Sequence, residues 1–363
     1  MKILSIETSC DDTGVTIFEA TGGARNASFR ILAHTVSTQD IHAEYGGVYP
    51  SLAKREHIKN LPILTELMLK KAKLSGKKNP PAGGPVDAIV VTYGPGLEPC
   101  LWAGIVFAQE LAKKWSIDGQ RIPVIPVNHM EGHAVSVFAR PKEKFKIVLT
   151  KSKFPMLALL VSGGHTELVL WEDLGKYKIL GRTLDDAAGE AYDKVARMLG
   201  LPYPGGPKIS KLAEEARKEK LKPDFSFPRP MRKSNNFEFS FSGLKTAVLY
   251  AIRDMGKLTN EKKKLIAMEF ENAVAEVLAH KLKKAAEKHQ PKAIILAGGV
   301  AANNFLRQEI KKTFKGKKIL LPDQALTGDN ALMTGVAGYL EYVKNKKKVP
   351  RPTKIKAKGN LSL

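Results

Sequence analysis

The stretch KILSIETSCDDTGVTIFE, residues 2–19, decides the fold of this 363-residue chain. Apolar and β-branched residues dominate both of its ends, and the polar turn SCDD, residues 9–12, separates them. This pattern predicts a strand over 2–8, a tight turn and a second strand over 14–19. We expect a third strand over 31–37, after a loop that contains Gly22 and Gly23.

The same design recurs in the middle of the chain. Residues 156–171, MLALLVSGGHTELVLW, predict two strands joined by the turn 162–164, and a further strand is expected over 178–181. Each half later contains a strand that opens onto glycine, over 87–92 and over 293–296. The repeated order indicates an internally duplicated α/β fold, with two lobes around a nucleotide cleft. Helical apolar spacing separates these strands, over 58–69, 104–115, 186–199 and 263–286.

The duplication also predicts the domain boundaries. We expect a first lobe over residues 1–125 and 325–363, the second of these segments being a C-terminal helix with a basic tail. The second lobe is expected over 126–324, with irregular insertions at the proline-rich segments 203–207 and 223–230.

Composition excludes several classes of protein. A hydrophobic content of 43% is enough for a buried core, which argues against a disordered or collagen-like chain. Apolar runs are everywhere shorter than the roughly 18 residues of a transmembrane helix, and Glu7 and Asp11 interrupt the N-terminal stretch, so no signal peptide is expected. The two cysteines, Cys10 and Cys100, fit a reducing compartment, and we expect a cytoplasmic protein.

Lysine and arginine number 59 against 36 acidic residues, a formal charge of +23. Two interpretations of this excess stay open: a polyanionic partner such as RNA, or solvated helix faces and a frayed tail. The segment 344–363 carries eight basic residues and no acid, and its run Lys346–Lys348 is our candidate RNA contact. Other basic runs lie at 70–78, 217–222, 262–264, 281–284 and 311–318.

Three turns are suited to anion binding, because small residues let backbone N–H groups converge. They are Asp11-Asp12, Ser162-Gly163-Gly164 and Gly298-Gly299, and the third leads into a predicted helix over 305–314. Three such turns in a duplicated frame favour a nucleotide site. The chain has no G-x-x-x-x-G-K-[ST] sequence and no G-x-G-x-x-G after the first strand, which argues against a P-loop NTPase and a Rossmann dehydrogenase.

The segment NHMEGH, residues 128–133, places His129 and His133 on one face of a helical turn, a spacing that suits two ligands of one metal ion. Glu131 lies about 200° round the helix from His129, so it points away from such a metal, which disfavours a zinc protease. Asp329 is our candidate third ligand. An aspartate there could equally cap the helix that follows, and the sequence leaves both roles open.

Eight motifs, in this order, make the chain resemble the tRNA N6-adenosine threonylcarbamoyltransferase family of the TsaD type, once described as O-sialoglycoprotein endopeptidases. They are SIETSCDDTGVTIF, HAEYGGVYPSLAKREHI, NHMEGH, LLVSGGHTELVL, DDAAGEAYDKVARMLGLPYPGGP, FSFSGLKTAV, LAGGVAANNFLR and TGDNALM, and they extend from residue 2 to about residue 339. The resemblance implies a duplicated actin-like ATPase fold of the Hsp70 and sugar-kinase type. It also implies transfer of threonylcarbamoyl from threonylcarbamoyl-AMP to N6 of adenosine 37, in tRNAs that read codons beginning with A.

The resemblance implies a role for each motif residue. His129, His133 and Asp329 would bind one divalent metal ion, Fe²⁺ in the first place and Zn²⁺ as the alternative. Asp11 and Asp12 would act at the catalytic turn, and ATP or AMP could occupy the same cleft as threonylcarbamoyl-AMP. The substrate-binding residues would be Leu160, Val161, Ser162, Gly163 and Gly164 at the phosphate, Asp193 and Gly206 at the ribose, and Asn303 at the adenine.

Two stretches depart from the family pattern, and each opens a question about activity. Asp12 stands where glutamate is usual, and Glu98-Pro99-Cys100 replaces small and aliphatic residues. The implied partners are the anticodon arm of tRNA and, in a bacterium, a TsaB-like paralogue and a TsaE-like ATPase, with no membrane. The alternatives are an actin-like small-molecule kinase, for which a histidine metal pair has no use, and a non-catalytic scaffold paralogue. Cys10 is expected to pack rather than to act as a nucleophile.

Overall fold

The computed structural model describes residues 1–76, 84–116, 121–141, 144–345 and 348–363. The chain divides into two compact units. The first comprises Met1–Asp40, Val48–Lys153 and Pro322–Leu363, and the second comprises Ile41–Gly47 and Phe154–Leu321. Of the basic residues noted above, Lys77, Lys78, Lys346 and Lys347 lie outside the described residues, so the proposed RNA contact at 346–348 stays a prediction.

The first unit is built on a mixed sheet. Its strands are β1 (Lys2–Glu7), β2 (Asp12–Gly23), β3 (Asn26–Thr38), β4 (Ala88–Gly94), β5 (Val124–Asn128) and β6 (Lys144–Val148). They lie in the order β5-β4-β1-β2-β3-β6, in which β5, β4 and β1 are parallel and the remaining pairs are antiparallel. Because β5 and β6 both belong to this sheet, the first unit extends to Lys153, beyond the boundary predicted at residue 125.

The second unit repeats this design. Its strands are β7 (Met156–Val161), β8 (Thr166–Asp173), β9 (Lys176–Arg182), β10 (Ala293–Ala297) and β11 (Ile319–Leu320), in the order β11-β10-β7-β8-β9. Again the first three are parallel and the rest antiparallel. The order and directions match β5-β4-β1-β2-β3 strand for strand, so the predicted duplication is confirmed.

Helices cover the sheets. They are α1 (Pro50–Lys71), α2 (Glu98–Trp115), α3 (His129–Ser136), α4 (Ala188–Met198), α5 (Gly205–Lys218), α6 (Ser242–Asp254), α7 (Asn260–His289), α8 (Asn304–Thr313) and α9 (Ala331–Lys344). Each helix predicted from apolar spacing is present, and α1 begins eight residues before the predicted residue 58 because Pro50 is compatible with the first helical turn. Gly22 and Gly23 end β2 instead of lying in a loop.

Strand periodicity sorts the residues of β1 between two layers. Leu4 and Ile6 belong to the buried cluster that contains Leu61 of α1 and Ile105 of α2. Alternate residues point to the opposite face of a strand, so Ser5 and Glu7 lie on the side of α9. This places an acidic side chain in the interior, at the end of the strand.

Among the described residues, no helix is both long enough and apolar enough to cross a lipid bilayer.

We expect Gly335→Ala in α9 to destabilise the first unit by about 1–3 kcal/mol, because the added Cβ overpacks the interface between helix and sheet. That Cβ would lie 2.4 Å from Cε1 of Phe18 and 3.0 Å from Cβ of Ser5. Gly243→Ala in α6 is the matched control, since a Cβ there meets no atom within 4 Å. Denaturant unfolding of both variants tests this expectation, and equal midpoints would contradict it.

Candidate metal centre and substrate-binding loops

The carboxyl ends of the parallel strands β1, β4 and β5 lie at one edge of the first sheet. Glu7 ends β1, and β5 runs directly into α3 at His129. The side-chain Oδ1 of Asn128 accepts hydrogen bonds from the backbone N–H groups of Met130 (2.8 Å) and Glu131 (3.4 Å), which caps α3 at its first turn. The cap fixes the direction in which α3 leaves the sheet.

Three predicted metal ligands come together at this edge. Nε2 of His129 lies 3.4 Å from Oδ1 of Asp329, and Nε2 of His133 lies 3.2 Å from the same oxygen. One ligand atom from each residue can be chosen so that all lie within 4.8 Å of one another. The group brings together residues about 200 positions apart in sequence, and Glu131 is not part of it.

The helix cap next to Asp329 is a different residue. Oδ1 of Asn330 accepts a hydrogen bond of 3.0 Å from the backbone N–H of Met333, so Asn330 caps α9. The sequence left two roles open for Asp329, helix cap and metal ligand. In the structure Asn330 is the cap, so Asp329 does not have the first role. The Asp329 carboxylate faces the histidines instead.

The two buried imidazoles contain nitrogen atoms that the protein does not satisfy. Within the described part of the chain, Nδ1 of His129 and both ring nitrogens of His133 have no hydrogen-bond partner with acceptable geometry. A buried polar group without a partner costs about 1–3 kcal/mol. Two imidazoles and a carboxylate that converge in this way fit a divalent metal ion, which would take up their lone pairs.

Charge in the cluster also favours a cation. Burial lowers the pKa of His129, but the carboxylates of Asp329 and Glu7 outweigh burial and raise this pKa to about 10. Burial lowers the pKa of His133. Burial raises the pKa of Asp329, yet the two histidines hold it well below its usual range. The fully buried carboxylate of Glu7 and the partly buried carboxylate of Asp329 thus face a protonated His129.

Glu7 is a site residue that the sequence analysis did not identify. Its side chain is fully buried, and its Oε2 lies 3.4 Å from Nδ1 of His129. Oε2 also accepts hydrogen bonds from the hydroxyls of Thr92 (2.5 Å) and Thr334 (2.6 Å). Burial raises the pKa of Glu7, but the positive charge of His129 lowers it overall. The sequence signal that could have identified Glu7 is an acidic residue at an inward-facing position at the end of an apolar strand.

The turn after β1 contacts the metal cluster through Ser9. Its backbone N–H donates to Oε1 of Glu7 (2.8 Å), and its hydroxyl lies 3.3 Å from Oδ2 of Asp329. The backbone N–H of Leu97 donates to the Ser9 carbonyl at 2.8 Å. A Cβ on Gly96 would lie only 2.6 Å from that carbonyl oxygen, so this close approach requires glycine.

His57 of α1 contacts the part of the turn that follows Ser9. This residue was not identified from the sequence either. Nε2 of this buried ring lies 2.8 Å from the carbonyl oxygen of Cys10, and Nδ1 lies 2.8 Å from the hydroxyl of Thr13. A carbonyl only accepts, so Nε2 carries the proton. The backbone N–H of Gln39 donates to the Asp11 carbonyl at 3.2 Å. The turn that carries Asp11 and Asp12 is therefore fixed from several sides.

Asp12 is the partly buried acid of this turn. Its Oδ1 accepts a hydrogen bond of 2.7 Å from the Thr38 hydroxyl, and its Oδ2 lies 4.0 Å from the place of a Cβ on Gly328. Burial raises the pKa of Asp12 from 3.8 to about 7, against the effect of the Thr38 hydrogen bond. Burial and the charge of Asp11 raise the pKa of the Cys10 thiol well above its usual range, which agrees with a packing role.

In the second unit, the predicted phosphate loop follows β7. Leu160 and Val161 are buried at the end of the strand, and the Ser162 hydroxyl accepts a hydrogen bond of 3.1 Å from the backbone N–H of His165. A Cβ on Gly163 or Gly164 would meet no atom within 4 Å, so their backbone faces open space.

Two other glycines pack against this loop. A Cβ on Gly189 at the start of α4 would lie 2.5 Å from the carbonyl oxygen of Ser162, and a Cβ on Gly298 would lie 2.3 Å from that of Val161. Gly298 also has a φ of +94°. The Gly298 turn and the amino end of α4 therefore both meet the predicted phosphate loop, an arrangement that only residues without a side chain allow.

Asp193 and Gly206, the predicted ribose pair, also lie together. Oδ1 of Asp193 accepts hydrogen bonds from the backbone N–H groups of Gly205 (2.8 Å) and Gly206 (3.3 Å) at the start of α5. Asp193 lines a shallow pocket with Arg197, whose guanidinium donates to the carbonyl of Gly46. The ribose role of Asp193 and Gly206 stays a prediction.

The Asn303 side chain forms hydrogen bonds with other residues of the second unit. Its Oδ1 accepts from the backbone N–H of Leu306 (2.8 Å) and caps α8. Its Nδ2 donates to Oε1 of Glu271 (2.6 Å) and to the hydroxyl of Ser210 (2.8 Å), and lies 3.4 Å from the hydroxyl of Tyr192. These neighbours were not predicted, because they come from three other helices. The adenine role of Asn303 stays a prediction.

The two sheets with their covering helices have the actin-like ATPase fold. HypF from T. kodakarensis matches with a TM-score of 0.58 and 17% identity, over 95% of this chain and 48% of that chain. Full-length HypF, in its phosphate- and nucleotide-bound form, matches with a TM-score of 0.56 and 12% identity, over 96% of this chain and 47% of that one. The predicted fold class is confirmed.

The profile of the family described as "TsaD: tRNA N6-adenosine threonylcarbamoyltransferase" matches residues 30–336, and this chain belongs to that family. The tRNA N6-adenosine threonylcarbamoyltransferase of Thermosipho africanus is 43% identical over the full length of both chains. That of Chromobacterium violaceum is 44% identical over 94% of this chain and 93% of its own, and that of Neisseria meningitidis is 41% identical over 95% of each.

We expect Glu7→Gln to lower the affinity for Fe²⁺ or Zn²⁺ by about 10- to 100-fold, because a carboxylate next to a ligating imidazole fixes its orientation and raises its basicity. Glu131→Gln, in the first turn of the same helix as His129, is the matched control and should retain metal. Competition with a chromogenic chelator measures both affinities. Equal affinities would remove Glu7 from the site.

We expect Asp12→Asn to stabilise the metal-free protein at pH 8. The pKa of Asp12 in the folded protein, about 7, lies above its ordinary 3.8, so ionisation costs stability as the pH rises between these values. Asparagine carries no such cost. The melting temperature of the variant should exceed that of the wild type at pH 8, and the difference should shrink towards pH 4. A difference independent of pH would contradict the assignment.

Proposed function

We propose that this protein transfers the threonylcarbamoyl group from threonylcarbamoyl-AMP to N6 of adenosine 37, in tRNAs that read codons beginning with A. The observation that carries the proposal is the convergence of His129, His133 and Asp329 with unsatisfied ring nitrogens, in a chain of this family. A small-molecule kinase has no use for such a cluster. Its retention also argues against a non-catalytic scaffold.

The loops of the second unit are suited to the adenylate. Backbone N–H groups of Ser162, Gly163 and Gly164 can bind the phosphate of threonylcarbamoyl-AMP, since the two glycines present no side chain. Leu160 and Val161 anchor this loop in the sheet. We assign the ribose to Asp193 and Gly206 and the adenine to the region of Asn303, and ATP or AMP would use the same contacts.

The reaction forms a bond between N6 of adenosine and the carbamoyl carbon, and it breaks the bond from that carbon to the phosphate oxygen of AMP. The amine must lose a proton, and Asp12 is suited to accept it on its carboxylate, because its pKa of about 7 lies near ambient pH. Asp11 orients the amine from the same fixed turn. AMP is a good leaving group, so no acyl-enzyme on Cys10 is needed.

His129, His133 and Asp329 would hold the metal ion, and Glu7 would orient His129. Two imidazoles and one carboxylate are a donor set typical of Fe²⁺ and of catalytic Zn²⁺, and we assign Fe²⁺ first. When bound, the ion supplies positive charge that polarises an oxygen of the substrate and stabilises charge in the transition state.

Because the proposed substrate is tRNA, we propose that the protein acts in the cytoplasm, with a TsaB-like paralogue and a TsaE-like ATPase as its partners. Exposed apolar side chains on α1 and α2 support a protein partner. Ile58 and Ile63 are 55% and 59% exposed, and Trp102 and Val106 are 37% and 43% exposed. Such side chains on two neighbouring helices are typical of an interface.

The proposal is tested by incubation of the protein and its partners with unmodified tRNA and threonylcarbamoyl-AMP, followed by mass spectrometry of the nucleosides. We expect threonylcarbamoyladenosine. We expect His129→Ala combined with His133→Ala to abolish both the product and the bound metal, the latter measured by elemental analysis.

Three outcomes would contradict the proposal or part of it. Phosphorylation of a sugar or small metabolite without modified tRNA would favour the kinase. A partner complex that modifies tRNA equally well with the double histidine variant would favour a scaffold. An unchanged metal content in that variant would overturn the ligand assignment whatever the activity.

A further inference from the structure

The end of the chain is packed against the first unit. We call residues 352–362 the C-terminal strap. Ile355 is 4% exposed and belongs to the buried cluster of the first sheet. The side-chain amide of Gln109 in α2 donates to the carbonyl of Pro352 at 2.8 Å. The frayed tail that composition allowed is therefore wrong for this segment.

The strap then crosses the loop that follows β4. The backbone N–H of Lys358 donates to the carbonyl of Tyr93 at 2.8 Å, and the N–H of Gly96 donates to the carbonyl of Gly359 at 3.1 Å. The N–H of Gly359 lies 3.3 Å from Oε1 of Glu98. Glu98 thus contacts a segment that lies beyond residue 336, where the match to the family profile ends.

The far end of the strap reaches the residue that caps α3. Nδ2 of Asn128, which directly precedes His129, donates to the carbonyl of Ser362 at 3.1 Å. Gly96, bonded to the strap, packs against Ser9, and Ser9 contacts Asp329. The strap therefore lies beside residues that support two of the three proposed ligands.

Lysines project from the strap at regular intervals. Lys354, Lys356 and Lys358 are exposed, whereas Ile355 and Ala357 between them pack inwards on the buried cluster. Lys354 ends a short 3-10 helix over Pro352–Lys354, and Lys356 and Lys358 follow in the irregular segment after it. In the part of the chain that the structure describes, none of these three lysines forms an ion pair.

We propose that the C-terminal strap is a binding surface for the phosphate backbone of the tRNA, which its three lysines contact beside the metal centre. The inference rests on the proposed function. Charges on a segment that is already fixed lose less conformational entropy on binding than those on a free tail. The location matters as much as the charge, because the backbone bound here adjoins the nucleotide that reacts.

The test replaces Lys354, Lys356 and Lys358 together by glutamine in the full-length protein. Binding of an unmodified tRNA transcript is measured by fluorescence anisotropy over a series of salt concentrations, without threonylcarbamoyl-AMP. We expect the dissociation constant to rise by about ten-fold. We also expect the slope of the logarithm of this constant against the logarithm of the salt concentration to fall by about 2, since each lost phosphate contact lowers the slope by roughly 0.7–0.9.

The matched control replaces Lys315, Lys317 and Lys318 together by glutamine, because these three lysines are also exposed and lie outside the strap. The inference holds if the strap variant alone loses affinity while its melting temperature and metal content stay those of the wild type. Unchanged affinity, or an equal loss in both variants, would overturn it. Binding is measured without turnover, so a failure of the proposed reaction shows separately, as absence of threonylcarbamoyladenosine from wild-type protein.

Discussion

The buried contact between Glu7 and His129 is the constraint on which the first unit depends. A carboxylate without solvent is stable only when it is paired and hydrogen-bonded. Glu7 accepts hydrogen bonds from Thr92, Thr334 and the backbone N–H of Ser9, and it is paired with the charge of His129, whose Nδ1 lies 3.4 Å away. Those partners come from four different segments, so satisfying one acid also fixes the strands, α3 and α9 relative to one another. The proposed metal ligands converge where these segments meet.

In the second unit, close contacts between backbone segments position the loop after β7. A Cβ on Gly189 would lie 2.5 Å from the carbonyl oxygen of Ser162, and one on Gly298 would lie 2.3 Å from that of Val161 at the end of β7, so neither position accommodates a side chain. The result is a set of chain turns with N–H groups and few side chains, which suits a phosphate. The first unit thus relies on buried charge and the second on the absence of side chains, although their strand orders are the same.

Much of the fold could be read from the sequence, because strand alternation and helical spacing are local patterns. The spacing of His129 and His133 is also local, and the structure confirms that both face one acid. Glu7 and His57 were missed for the opposite reason. Each looks like an ordinary member of its strand or helix until a partner more than forty residues away is placed beside it.

The sequence by itself determined the duplicated α/β fold, the candidate ligands and the family. The tertiary structure decided three further points. It gave the helix cap to Asn330 and left Asp329 to the histidines, it supplied Glu7 as their support, and it packed the C-terminal strap beside them. The physical reason is the separation in sequence between the residues that interact. Periodicity acts between residues a few positions apart, whereas charge pairing and hydrogen bonding depend on which distant segments the fold brings into contact.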